Sequence, residues 1–226
     1  MILPGVGNCP TPGPDFDFGS QPNVLEIDGR TVVGEGQKSG VYHLLDAVTG
    51  QIIWQTMLRT TPPSPTGGGL DGIQWGASFD GTRLYVSTNQ AQPGTLFALD
   101  PRTGGIVWHT PNPANGCTSG GALTRPAIEC KLALPNAVTS TPGLVWEGSQ
   151  DGKMRAYSSL TGRILWTYDT VRVFRTVNHV FGMGGSMDGG GAVVSNGMLY
   201  TNSGYRALGV PLTEMSGNVV LAFGLS

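Results

Sequence analysis

The chain has 226 residues, of which 12% are charged and 39% apolar, with a net charge of −2, 36 glycines and 16 prolines. So little charge cannot coat the solvent faces of a helical bundle, and so much apolar residue at so low a net charge is unlike a disordered chain. No Lys/Arg-rich run is present, which excludes nucleic acid as the expected partner, and no apolar run approaches the roughly 18 residues of a membrane span.

The chain starts Met1-Ile2-Leu3-Pro4-Gly5, with neither a basic stretch nor a sustained apolar core, and this does not read as a signal peptide. Pro4, Pro10, Pro12 and Pro14 interrupt the first residues, so no strand is expected there. Val24 to Ile27 and Thr31 to Gly34 read as strands. They lead into Gly40-VYHLLDAVTGQII-Trp54, the first of three segments that align without a gap. A strand at Leu84 to Ser87 precedes the second copy, Gly94-TLFALDPRTGGIV-Trp108. Cys117 and Cys130 then flank a loop rich in Gly, Ser, Thr and Pro. A disulfide across that loop and two free thiols are both open readings; a bridge would place the chain in an oxidising compartment. With Cys9 they form no C-x-x-C pair, so neither a zinc ribbon nor a c-type haem attachment is expected. Leu144 to Gly148 is the next strand, before the third copy, Gly152-KMRAYSSLTGRIL-Trp166. Met198 to Asn202 reads as a strand, and a fourth, broken copy begins at Gly217-NVVLA-Phe223.

Each copy reads as a hairpin. Thr49-Gly50, Thr103-Gly104 and Thr161-Gly162 mark its turn. Asp46 and Asp100, replaced by Ser158 in the third copy, can accept hydrogen bonds from turn amides, while the glycine supplies a positive φ. The recurring Trp is expected to pack between neighbouring repeats. About four strands per period predict an all-β β-propeller, read as a single domain over 1–226. Its blades are expected near 15–58, 70–112, 135–170 and 184–226, the last incomplete. Four blades with no strand to close the ring point to the C-terminal part of a larger, seven- or eight-bladed propeller; a pair of four-bladed chains could also complete a ring.

The repeat resembles the tryptophan-docking repeat of pyrroloquinoline quinone (PQQ) dehydrogenases. Segments outside it narrow the resemblance to polyvinyl-alcohol-dehydrogenase-like quinoproteins: Gly13-PDFDFGSQ-Pro22, Gly36-QKS-Gly40, Gly72-IQW-Gly76, Gly184-GSMDGGGAV-Val194, Asn202-SG-Tyr205 and the ending from Gly217. It covers nearly the whole chain. It implies PQQ and Ca²⁺ as cofactors, a small or polymeric alcohol as substrate, an electron acceptor such as a cytochrome c, and a periplasmic location. Phe16-Asp17-Phe18 stands where the family has its Trp-Asp-Tyr-type motif, so Asp17 matches the catalytic aspartate and one calcium ligand. Lys38 matches the basic residue that contacts the quinone oxygens. The family's other calcium ligands, a Glu and an Asn, come from blades this sequence lacks, and it has no haem module.

The chemistry implied by the resemblance needs a base for the hydroxyl proton and a cation beside the quinone oxygens; Asp17 and Lys38 are of those types. Asp15 reads as structural or supporting. Trp75, between glycines, is a candidate wall of the quinone pocket, with a core aromatic as the plainer reading. Asp188, in a run of glycines that lets backbone approach a planar ligand, and Asn178 are further cofactor-side candidates; a turn residue is the plainer reading of each. His43, His109 and His179 lie in unrelated contexts and predict no shared metal site. No phosphate loop, dinucleotide fingerprint or hydrolase elbow is present. The alternative to an enzyme is a non-catalytic propeller of the same repeat, a scaffold for protein binding or outer-membrane assembly.

Overall fold

The computed structural model describes residues 14–59, 72–90, 93–118, 130–205 and 215–224. The strand-free reading of residues 1–13 lies outside them, as does Cys9. Among the described residues every regular element is a strand. Sheet I is formed by β1 (Asn23–Ile27), β2 (Arg30–Gly36), β3 (Val41–Asp46) and β4 (Ile52–Met57). Sheet II holds β5 (Ser78–Phe79), β6 (Leu84–Ser87), β7 (Thr95–Leu99) and β8 (Ile106–Pro111). Sheet III holds β9 (Thr139–Thr141), β10 (Leu144–Gly148), β11 (Lys153–Ser158) and β12 (Ile164–Asp169). A separate hairpin, β13 (Val173–Arg175) with β14 (Phe181–Met183), precedes the three-stranded sheet IV of β15 (Val193–Ser195), β16 (Met198–Ser203) and β17 (Val219–Gly224). In every sheet the strands are neighbours in chain order and antiparallel, the meander of a propeller blade.

The repeated hairpins form as their sequence dictates. Asp46 Oδ1 accepts the N–H groups of Val48 and Thr49 at 3.0 and 2.8 Å, and Asp100 Oδ1 that of Arg102 at 2.8 Å. In the third copy Ser158 Oγ accepts the N–H of Thr161 at 3.3 Å, a weaker version of the same turn. Gly50, Gly104 and Gly162 all take φ near +70°, where an L side chain is strained. Each hairpin carries its register shift at the same place, between Leu44 and Leu45, Ala98 and Leu99, and Ala156 and Tyr157.

The sheets are joined face to face by apolar side chains. Leu25, Val32, Tyr42, Leu44 and Trp54 of sheet I pack on Leu84, Val86, Phe97 and Leu99 of sheet II. Tyr85, Leu96 and Ala98 of sheet II meet Val145 and Tyr157 of sheet III. Sheet II is thus covered on both sides, and β6 and β7 are buried throughout, which is why they read as short unbroken apolar runs rather than alternating ones. Each such buried large side chain contributes about 1.5–3 kcal/mol.

The tryptophans form the seams. Trp54 of sheet I donates its indole N–H to the carbonyl of Pro101 (2.9 Å), and Thr56 donates to the carbonyl of Gly104 (2.8 Å). Trp108 and Thr110 of sheet II repeat this on Ser159 (3.0 Å) and Gly162 (2.8 Å) of sheet III. Trp166 departs from the pattern: Tyr168 stands where the other copies have Thr, and Trp166 stacks on it at 5.9 Å and meets Phe223 edge-on at 5.3 Å.

Cys117 and Cys130 are disulfide-bonded, with Cα atoms 5.8 Å apart, which resolves the two open readings. The β13–β14 hairpin falls between the blades expected near 135–170 and 184–226, in a stretch that carries no strand expectation. Its Val173, Phe181 and Met183 are exposed, so it carries none of the buried alternation that announces a strand.

Candidate functional site

The turn between β2 and β3 carries Lys38, and the segment leading into β1 passes beside it. The backbone N–H of Lys38 donates to the carbonyl of Asp17 at 3.1 Å, which fixes the two segments together. The Lys38 ammonium then lies 2.8 Å from Asp17 Oδ1 and 3.2 Å from Asp15 Oδ2. Lys38 is largely sheltered while both carboxylates face solvent. Burial alone would lower the lysine's pKa; the carboxylates of Asp17 and Asp15 outweigh it and hold the pKa above its ordinary value. The sequence-expected base and cation are therefore one ion pair, with Asp15 as a second counter-ion.

A third segment, residues 72–76, is laid against this turn. Gly72 sits at φ +79° against the backbone of Lys38, where a Cβ would come within 2.0 Å of the Lys38 carbonyl oxygen. The N–H of Ile73 donates to the carbonyl of Gln37 (3.2 Å), and the N–H of Gln21 to that of Trp75 (3.0 Å). Gln21 and Gly76 form a parallel bridge. No side chain larger than hydrogen fits at Gly72 without moving Lys38, which explains that glycine of the GIQWG segment.

Trp75, half-buried, is held in turn by Asp188. Its indole N–H donates to Asp188 Oδ1 at 2.6 Å, across 113 residues of sequence. Asp188 is only 4% exposed, and it also accepts the N–H of Gly189 (2.6 Å) and the carboxamide of Gln150 (3.3 Å). Four of the sequence candidates, Asp17, Lys38, Trp75 and Asp188, are thus linked through residues 72–76. Asn178 is not brought to them: it lies exposed at the tip of the β13–β14 hairpin, where its carboxamide oxygen accepts from the Thr176 hydroxyl of the same loop. Gln150, which the sequence reading missed, belongs to the network. Its place in the turn between β10 and β11, equivalent to that of Lys38 between β2 and β3, was the available signal.

For a metal ion, the donor set is small. Calcium takes about 6–8 oxygen ligands. Among the described residues no group of three or more His, Cys, Asp and Glu is placed to hold a metal. Asp17 and Asp15 are both engaged with Lys38. These residues do not by themselves form a calcium site. For a planar quinone two of the residues are suited: a lysine ammonium with a third N–H beyond its two carboxylates, and an indole ring held by a hydrogen bond at its edge.

The PQQ_2 family, described as "Outer membrane protein assembly factor BamB", matches residues 37–196. The chain belongs to this family. Among curated proteins, a polyvinylalcohol dehydrogenase of Pseudomonas sp is 35% identical over 98% of the chain and 35% of its own length. The chain therefore spans about a third of the curated relative it matches. Among solved structures, BamB from Moraxella catarrhalis aligns over 83% of the chain and 44% of its own, with a TM-score of 0.54 and 22% identity. Quinohemoprotein alcohol dehydrogenase from Comamonas testosteroni aligns over 83% and 29%, with a TM-score of 0.54 and 19% identity. At those identities the structures establish the PQQ_2 fold alone, a β-propeller of which this chain holds a part.

Proposed function

We propose that this chain forms part of a PQQ-dependent alcohol dehydrogenase that oxidises secondary or polymeric hydroxyls to carbonyls. The observation that carries the reading is the 2.8 Å contact between Lys38 and Asp17, the two residues that the resemblance assigns to cation and base. Bound PQQ would supply a quinone carbonyl that accepts a hydride equivalent from the alcohol carbon. Asp17, exposed to an incoming alcohol, takes the hydroxyl proton. Lys38 orients Asp17 and offers its remaining N–H to a quinone oxygen, where negative charge develops. Trp75 offers an aromatic face for a planar ligand. Because these residues do not by themselves form a calcium site, no step is routed through a metal here. The electron acceptor, of cytochrome c type, follows from the resemblance. An oxidising compartment such as the periplasm is supported by the Cys117–Cys130 bond.

A titration of PQQ against intrinsic tryptophan fluorescence, with and without Ca²⁺, tests this. Saturable quenching, weakened about tenfold or more by Lys38→Ala and by Asp17→Asn, is the expected result. Absence of saturable quenching in the unaltered chain would overturn it. The second reading, a non-catalytic scaffold, is favoured by the family match over residues 37–196 and by the likeness to BamB. A scaffold has no use for PQQ, so the same titration separates the two.

A further inference from the structure

We infer that Asp188 is a positioning residue for Trp75 and touches neither cofactor nor metal itself. The inference rests on the proposed function for its purpose, though not for its geometry. A carboxylate that binds a ligand needs a lone pair that the ligand can reach, and burial together with bonds already made limits that. Asp188 has both oxygens engaged: Oδ1 accepts from the Trp75 indole and the Gly189 N–H, each at 2.6 Å, and Oδ2 accepts from Gln150 at 3.3 Å. At 4% exposure it has little access to anything outside the protein.

The three donors fix the carboxylate from three directions. Gln150 is anchored on both sides of its own peptide, its N–H donating to the Ala133 carbonyl (3.1 Å) and its carbonyl accepting from the Ser186 hydroxyl (2.9 Å). The carbonyl of Gly189 accepts from the N–H of Ala137 at 3.0 Å, and the N–H of Met187 donates to Ser149 at 3.1 Å. Asp188 is thus built into the junction of sheets III and IV, and from there reaches the indole edge of a residue in the segment leading into sheet II.

An indole has two side-chain torsions, and one hydrogen bond at the ring edge removes much of that freedom. Trp75 has its backbone carbonyl fastened by Gln21, in the segment that also carries Asp17, and its ring edge fastened by Asp188. The ring plane is therefore set before any ligand arrives. Binding a planar aromatic molecule then costs less side-chain ordering, the advantage of a preorganised site. Removing the carboxylate would leave the backbone of Trp75 in place and release its ring.

The test is a double-substitution cycle in the full chain. The near-ultraviolet circular dichroism of the unaltered chain minus that of Trp75→Phe isolates the signal of this indole. Asp188→Ala should abolish that signal, so that adding Trp75→Phe changes nothing further. Asp188→Asn, whose carboxamide oxygen can still accept the indole N–H, should restore most of it. PQQ should bind about ten- to a hundredfold more weakly to Asp188→Ala than to Asp188→Asn. An undiminished Trp75 signal in folded Asp188→Ala, or strictly additive effects of the two substitutions, overturns the inference. Equal loss in Asp188→Asn and Asp188→Ala also overturns it, because the acceptor atom would then be irrelevant. If the unaltered chain binds no PQQ, the dichroism cycle still decides the role of Asp188, and only the proposed function fails.

Discussion

Trp54 lies against Gly104 of the next sheet, so close that a Cβ on that glycine would come within 2.6 Å of the indole. Trp108 meets Gly162 in the same way at 2.5 Å, whereas a Cβ at Gly50, in the equivalent turn of sheet I, meets nothing within 4 Å. Three glycines with the same φ therefore differ in their surroundings, which makes them a matched set. Gly50→Ala should cost about 1–2 kcal/mol, from backbone strain alone. Gly104→Ala and Gly162→Ala should each lose about 1–3 kcal/mol more, because the docked indole must move. Chemical denaturation of the three variants checks this; equal losses would mean that the tryptophan contact contributes nothing.

Trp54→Ala should destabilise the chain by about 3–5 kcal/mol, the range for emptying a large core site. Trp54→Phe should recover part of this while leaving the Pro101 carbonyl without its donor. The difference between the two, read from urea midpoints, separates ring packing from the hydrogen bond.

Glu147 on β10 is 1% exposed, and the Ser87 hydroxyl is the one group near enough to ease its burial. Burial pushes its pKa well above the ordinary carboxylate range, with only Ser87 pulling the other way. A carboxyl whose pKa is higher folded than unfolded stabilises the fold below its unfolded pKa, and that contribution is lost as pH rises through the folded value. The unaltered chain should therefore weaken relative to Glu147→Gln from mildly acidic pH upward. Thermal unfolding of both across that range is the check, and parallel curves would refute the expectation.

Arg155 and Asp151 form a buried ion pair at 2.5 Å, with Ser149 bonded to both. Replacing Arg155 by Met takes the guanidinium away from a fully buried carboxyl group, and should cost about 3–5 kcal/mol. Removing both charges together, Arg155→Met with Asp151→Asn, should recover much of that. Denaturation midpoints of the single and double variants decide it.

Reduction of the Cys117–Cys130 bond should lower stability by about 2–4 kcal/mol, since it joins two residues 13 positions apart. Paired melts with and without reductant measure the shift, with Cys117→Ser/Cys130→Ser as the non-reducible control.

The repeat made the hairpins, their turns and the docking tryptophans legible, because each is carried by local chemistry: an Asp or Ser before a Thr-Gly turn, then a Trp at constant spacing. The short strands β5, β9 and β15 have two or three residues each, too few for periodicity to register. Asp17 and Lys38 could be paired from motif resemblance. The tie between Trp75 and Asp188 could not, because nothing in either neighbourhood encodes a contact 113 residues away. The glycines around Asp188 suggest a cofactor-side residue or, more plainly, a turn; in the structure some of them let backbones meet, as where a Cβ at Gly191 would lie 2.1 Å from the Ala137 carbonyl oxygen.

The docking contacts run one way along the chain. The tryptophans of sheets I and II each lean on the turn of the sheet that follows, so such a turn supports its predecessor as well as its own strands. A cut in the Thr103–Gly104 turn would loosen β4 of sheet I as well as the hairpin it severs. The bare Thr49–Gly50 turn is the receiving end of that series. It could accept one more tryptophan-bearing sheet, grafted ahead of sheet I, without the alteration of a residue in the turn. Such a unit extends by addition at one side, as interlocking tiles do, and its length is a choice separate from its joints.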